Sequence, residues 1–180
     1  MTAVPGPDKF LIEPLGKQHD RTAFSCGEES LDRYLRTQAS QDTRRKANAV
    51  FVMVEPSEPA RVVGYFTLCA TALNPGIVPH AALRHIPRFP LVSATLIGRL
   101  AVNQASQGRG IGATLLANAL RKAYENAAVV GSSMVVVDAI DDRAIRFYEA
   151  HGFTRLVDSM RLILPMTAIS SLIKGESRQD

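Results

Sequence analysis

Apolar residues along this chain fall into short unbroken runs and longer stretches spaced by three and four. Phe10-Leu-Ile-Glu-Pro-Leu15 predicts a first strand, stopped by Gly16. Leu31, Tyr34, Leu35 and Gln38-Ala39 then recur at helical spacing, which predicts an amphipathic helix running to about Arg45. Ala49 to Glu55 is a strand, Pro56-Ser-Glu-Pro59 a turn, and Arg61 to Leu73 a second strand, the two expected to pair antiparallel as a hairpin. Pro75, Gly76, Pro79, Pro87 and Pro90 break up the next segment, leaving a loop with at most one helical turn near Ala81 to Arg84. Ser93 to Val102 predicts a central strand. A glycine-rich turn follows, then a long helix from about Gly110 to Asn126 that buries Leu115, Leu116, Ala119, Leu120 and Ala123. Ser133 to Ala139 is another apolar strand, Arg143 to His151 a helix ended by Gly152, and Met160 to Leu164 a final strand before Pro165.

This order implies an α/β (α+β) fold, a mixed central sheet flanked by helices. Right-handed crossovers place the helices that begin near Gly110 and Arg143 on the sheet faces. At 180 residues the chain is expected to be one domain over 1–180, with loose ends at 1–8 and 175–180. No apolar run is long enough for a bilayer and the start lacks a secretory layout, so no membrane role and a cytoplasmic location are expected. Cys26 and Cys69 are far apart without a metal-binding spacing and read as small buried hydrophobes, and the four histidines are scattered, so no metal is expected.

The chemistry concentrates in Gln107-Gly-Arg-Gly-Ile-Gly112, between a strand and a helix. Backbone N–H groups there can converge on an anion at the positive end of the helix dipole, and glycine lets phosphates approach the backbone closely. Three alternate glycines opening a helix are costly for packing alone. Gly108 to Ala113 also matches the dinucleotide-binding fingerprint, but it follows a hairpin and a Pro-rich loop and leaves too little chain for the second half of such a domain. A Walker A loop is excluded, because no Lys-Ser or Lys-Thr follows the last glycine.

Arg99-Leu-Ala-Val102, Gln107 to Gly112 and Leu115-Leu116 resemble the core motif of the GNAT acetyltransferases, and Phe147-Tyr148-Glu149 with Gly152-Phe153 resembles a second segment of that superfamily. Phe24-Ser-Cys26-Gly27, Leu31-Asp32, Leu35, Val63-Gly64-Tyr65 and Val137-Asp138-Ala139 extend the likeness to the acetyltransferase toxins of bacterial toxin-antitoxin modules. The resemblance implies the GNAT fold with acetyl-CoA as co-substrate. The pantetheine arm would lie along the backbone of Leu100, Ala101 and Val102, and the pyrophosphate in the loop of Gln107, Gly108, Arg109, Gly110, Ile111 and Gly112. It further implies acetylation of the aminoacyl group of charged tRNA, a homodimer, and a ribbon-helix-helix antitoxin from a neighbouring gene.

Acetyl transfer needs an uncharged amine and a proton for the departing thiolate. Tyr148 is the expected general acid. Asp138 and Glu149 are candidate bases by position only, and neither cysteine is expected to be a nucleophile. An α-amine titrating near pH ~8 needs less help from a base than a lysine at ~10.4, which favours aminoacyl-tRNA as acceptor. The net charge of +4 is unevenly placed, and Arg44, Arg45, Lys46, Arg84 and Arg88 are the tRNA-phosphate candidates. The rivals are an enzyme of the same fold acting on a small amine, peptide N-terminus or lysine, and a non-catalytic acetyl-CoA-binding module.

Overall fold

A computed structural model describes residues 9–84, 86 and 90–176, the side chains of 175 and 176 excepted. Of the loose ends expected, 1–8 and 177–180 lie outside the described residues, as does the candidate Arg88, whereas 175 and 176 end a helix. Seven strands form one mixed sheet in the order β1-β2-β3-β4-β5-β7-β6: β1 Leu11–Pro14, β2 Ala49–Val54, β3 Gly64–Leu73, β4 Val92–Val102, β5 Met134–Asp138, β6 Thr154–Arg155 and β7 Arg161–Pro165. The helices are α1 Glu29–Thr37, α2 Ala39–Arg44, α3 His80–Leu83, α4 Ile111–Val130, α5 Asp142–Ala150 and α6 Met166–Glu176. The expected hairpin is present, β2 pairing antiparallel with β3 from Ala49↔Leu68 to Met53↔Gly64. The parallel ladder of β4 with β5 runs from Ala94↔Met134 to Ile97↔Val137.

The single first helix expected up to Arg45 is two helices. Thr37 Oγ1 donates back to the Arg33 carbonyl at 2.8 Å, a bond that bends helices, and the chain turns at Gln38 before α2 starts. α2 closes with Lys46 N–H on Thr43 O at 3.2 Å and Ala47 N–H on Asp42 O at 2.9 Å, a Schellman pair that holds Lys46 left-handed at φ 56°. Helix α6 was missed because Pro165 reads as a terminator. It instead immediately precedes the helix, whose Met166 and Ile169 are buried. β6 is two residues long and carries no sequence signal.

The chain divides into two compact units, 1–69 with 98–119, and 70–97 with 120–180. In the first, Leu35, Ala39, Val50, Val52 and Tyr65 form the centre of an apolar cluster. The Tyr65 ring meets Phe24 edge-on at 5.5 Å and stacks with Tyr34 at 6.4 Å, while its hydroxyl donates to Leu31 O at 2.7 Å. One residue thus fastens both α1 and the 24–27 segment to β3. In the second unit Leu73, Val92, Ala94, Met134, Val136 and Ile163 pack together.

Candidate active site

The link from β4 to α4 is pinned at several points within the first unit. Asn103 N–H donates to Val63 O at 2.8 Å, and Asn103 Oδ1 accepts from Ala105 N–H at 3.2 Å, capping a 3₁₀ turn at Gln104–Ser106. Gln104 N–H donates to Ser25 O at 2.8 Å. Gln107 Nε2 donates to Val102 O and to Cys26 O, each at 2.8 Å, joining the end of β4 to a segment 81 residues away. The Gln107 side chain is therefore a tether of the loop.

Beyond it Gly108 and Gly110 hold φ of +79° and +73°, and a Cβ on either would meet nothing within 4 Å. Glycine is needed there for the left-handed backbone, with open space in front of it. Residues 107–110 are exposed and Ile111 is buried, so α4 is anchored at its first residue while its free N–H groups and positive dipole end face outward. Exposed Arg109 adds a cation and lines a polar cavity of about 240 Å³ with Lys9, Arg61, Glu55 and Glu58.

Ala101 is buried, while Leu100 and Val102 are half-buried. Residues 98–102 lie beyond the β4–β5 ladder, which ends at Ile97↔Val137. Arg99 precedes Leu100, its guanidinium carbon 3.5 Å from the centre of the Tyr34 ring. Tyr34 hydroxyl donates to Asp42 Oδ2 at 2.8 Å, and Asn48 Nδ2 donates to the same oxygen at 3.0 Å. Burial first, then the bond to Asp42, push Tyr34 up to about 12.

Tyr148 lies in the second unit on α5, whose N-terminus is capped by Asp141 Oδ1 accepting from Ala144 N–H at 2.8 Å. Its ring packs edge-on against Phe147 at 5.2 Å and Phe153 at 5.4 Å. Burial pushes its phenol up to about 12. The hydroxyl has no hydrogen-bond partner among the described residues. Thr67 Oγ1 is the single partnerless polar side-chain atom sealed from solvent among them. Asp138 is a poor base: Arg161 Nε and Nη2 grip its two oxygens at 2.7 and 2.9 Å. Glu149 is exposed.

Cys26 and Cys69 are half-buried rather than buried, and desolvation raises both, Cys26 to about 11, away from the thiolate that a nucleophile requires. Arg44, Arg45 and Lys46 are exposed at the end of α2, in the first unit, and Arg84 is exposed in the second. Cations at a helix C-terminus are favoured by its dipole without any partner. Sequence reasoning gave no role to Arg99, Thr67 or Asp32. Buried Asp32 accepts from Cys26 N–H at 2.9 Å and so shapes the segment that Gln107 grips. Only its acidic place in the first turn of α1 hinted at this.

A glycine turn that presents helix-start N–H groups directly after a central strand of a mixed sheet is an arrangement that can hold an anionic group. Residues 46–155 match the model of the Acetyltransferase (GNAT) domain. Over 155 residues the chain is 34% identical to the tRNA-acetylating toxin of Mycobacterium tuberculosis (strain ATCC 25618 / H37Rv), covering 86% of this chain and 90% of that one. AtaT complexed with acetyl-methionyl-tRNAfMet is similar with a TM-score of 0.83 and 30% identity, over 91% of this chain and 99% of AtaT. A mutant AtaT toxin bound to the C-terminus of the antitoxin AtaR and acetyl-CoA is similar with a TM-score of 0.77 and 28% identity, over 92% and 99%. The chain belongs to the GNAT acetyltransferase family and is related, over most of its length, to toxins of toxin–antitoxin pairs.

Proposed function

We propose that this protein is an acetyl-CoA-dependent N-acetyltransferase of one domain that acetylates the amino group of aminoacyl-tRNA, and so acts in the cytoplasm as a toxin that blocks translation. The carrying observation is a fit of nearly the whole chain, beyond any single motif, to AtaT in complex with acetyl-methionyl-tRNAfMet. The loop suits the coenzyme: Gly108 and Gly110 leave open space where any Cβ would stand, and α4 supplies N–H donors and a positive dipole end. Leu100, Ala101 and Val102 offer strand backbone past the β5 ladder for a pantetheine arm.

Acetyl-CoA supplies the acetyl thioester. Tyr148 keeps its proton at physiological pH, because burial holds it up to about 12, and would be the acid that protonates the departing sulfur. A phenol so raised is a weaker acid than one in water. Dry surroundings raise a thiol too, so the difference between the two groups governs the transfer. Upward-shifted cysteines support direct attack by the amine over an acetyl-enzyme. Arg44, Arg45, Lys46, Arg84 and Arg88 would meet tRNA phosphates, the working form would be a homodimer, and a ribbon-helix-helix antitoxin encoded next door would silence it.

The test is incubation with labelled acetyl-CoA and total charged tRNA, with uncharged tRNA, polyamines and a lysine peptide in parallel. Label on the aminoacyl group is expected, together with growth arrest on expression. Label confined to polyamine or peptide, without arrest, would refute the tRNA reading.

A further inference from the structure

The first unit contains a cation with its face occupied and its edges free. Arg99 lies 3.5 Å over the Tyr34 ring, and Tyr34 is itself fixed by Asp42, whose engaged oxygen also holds Asn48. Arg99 makes no hydrogen bond or close ion pair to any described residue, although the Asp42 carboxylate lies within electrostatic reach of it. Stacking uses the flat face of a guanidinium and leaves its N–H groups, all in the ring plane, pointing outward as a fork suited to two oxygens of one phosphate. The side chain is half-buried, so its stem is held and little freedom remains to be lost on binding.

A second polar group near this point is also unmatched. Thr67 Oγ1, on β3, is sealed from solvent without a partner, and a Cβ on exposed Gly98 would come within 3.2 Å of it. Gly98 and Arg99 are consecutive on β4, immediately before Leu100 to Val102. A cation with its face stacked on Tyr34 and no hydrogen bond at its edges, next in sequence to a glycine that faces a buried hydroxyl without a partner, marks unspent polar capacity among the described residues.

We propose that Arg99, oriented by Tyr34, is a specificity-determining residue that grips a phosphodiester at the acceptor end of charged tRNA. This rests on the tRNA reading above and refines it. Whereas Arg44, Arg45 and Lys46 stand on a helix end that rewards positive charge by itself, Arg99 is fixed by its stack on Tyr34 with its N–H edges left without a hydrogen-bond partner among the described residues.

The experiment compares wild type, Arg99→Gln and Arg99→Lys in acetylation of purified charged tRNA across a salt series. Calorimetry of acetyl-CoA and thermal melting are run on the same samples. Arg99→Gln is expected to raise KM for charged tRNA about tenfold or more, with kcat within about threefold. Its salt slope should fall by about one, as for one lost phosphate contact, and acetyl-CoA affinity should hold. Arg99→Lys should retain the slope and lose part of the affinity, since it keeps the charge without the fork. An unchanged KM in folded Arg99→Gln overturns the proposal, and so does a loss confined to acetyl-CoA affinity, which would assign the cation to the coenzyme. If wild type labels no charged tRNA, the acceptor reading itself falls and takes this one with it. If both variants melt early, a KM that Arg99→Lys leaves at the Arg99→Gln value, with no slope difference between them, also overturns it.

Discussion

Replacing Gly110 isolates what the loop contributes. At φ +73° an alanine has no clash to meet, since nothing lies within 4 Å of its Cβ, so its whole cost is the left-handed backbone. That cost is about 1–2 kcal/mol. If the free loop relaxes and must be forced back to bind, acetyl-CoA affinity falls by about 5- to 30-fold. If it does not relax, the same cost appears as a lower Tm. Asparagine tolerates this conformation better than alanine and should bind more tightly than it. Aspartate nearly matches asparagine in shape and adds only charge. The gap between Gly110→Asn and Gly110→Asp therefore reads the sign of the ligand, and a drop of roughly a hundredfold is expected at low salt, shrinking as salt is added. Calorimetry with acetyl-CoA, beside thermal melts of each variant, provides both numbers. A folded Gly110→Asp that binds acetyl-CoA as wild type does would falsify the assignment of this loop to an anion.

Gln107→Glu removes the donor shared by Val102 O and Cys26 O and sets a carboxylate against both carbonyls, so stability should fall by about 2–4 kcal/mol, with Gln107→Ala losing less, as followed by denaturant unfolding. Tyr148→Phe keeps the ring packing and should cut kcat about a hundredfold or more at unchanged acetyl-CoA affinity; a mutant that turns over at the wild-type rate removes Tyr148 from the chemistry. With Tyr148 held up to about 12, the wild-type rate should rise as the acceptor amine loses its proton and show no decline from this phenol below about pH 11. Because burial favours the neutral phenol in the folded state, its contribution of about 3 kcal/mol is complete below pH 10 and lost between pH 10 and 12, so alkaline unfolding should begin later in Tyr148→Phe. Lys46→Gly relieves a left-handed side chain at φ 56° and should add about 1 kcal/mol, a Tm gain of a few degrees; a lower Tm would show that the lysine makes a contact outweighing its strain.

The glycine turn and the helix start after it were legible because they are local. The left-handed glycines and the first turn of α4 come from adjacent residues. The amphipathic helices and the hairpin were legible for the same reason. Where the reading missed, the cause is either a residue with two meanings or a contact far off in sequence. Pro165 stops strands and also comes before helices, and the first meaning hid α6. Thr37 bends its helix through a bond to a carbonyl four residues back, which spacing alone does not reveal. Asp138 stands at a strand end as a catalytic carboxylate would, yet Arg161, 23 residues on, occupies both its oxygens. The second bond of Gln107 spans 81 residues, so its tethering role appears only after folding.

The basic residues show how the two kinds of information divide. From sequence, Arg44-Arg45-Lys46 is the most conspicuous cation cluster, and Arg99 is one letter of a strand motif. In three dimensions the cluster stands at the C-terminal end of α2, where the dipole favours positive charge and long exposed side chains keep their freedom. Such cations add long-range attraction that salt screens readily, and they discriminate little between one polyanion and another. Arg99 is single, half-buried and stacked at 3.5 Å on a tyrosine that Asp42 holds in turn. Its entropy is largely spent on folding, so a phosphate in its fork meets donors already aimed, and misplacement is penalised by geometry as well as by charge. The cluster should therefore set how fast charged tRNA arrives, and Arg99 whether it is held in register.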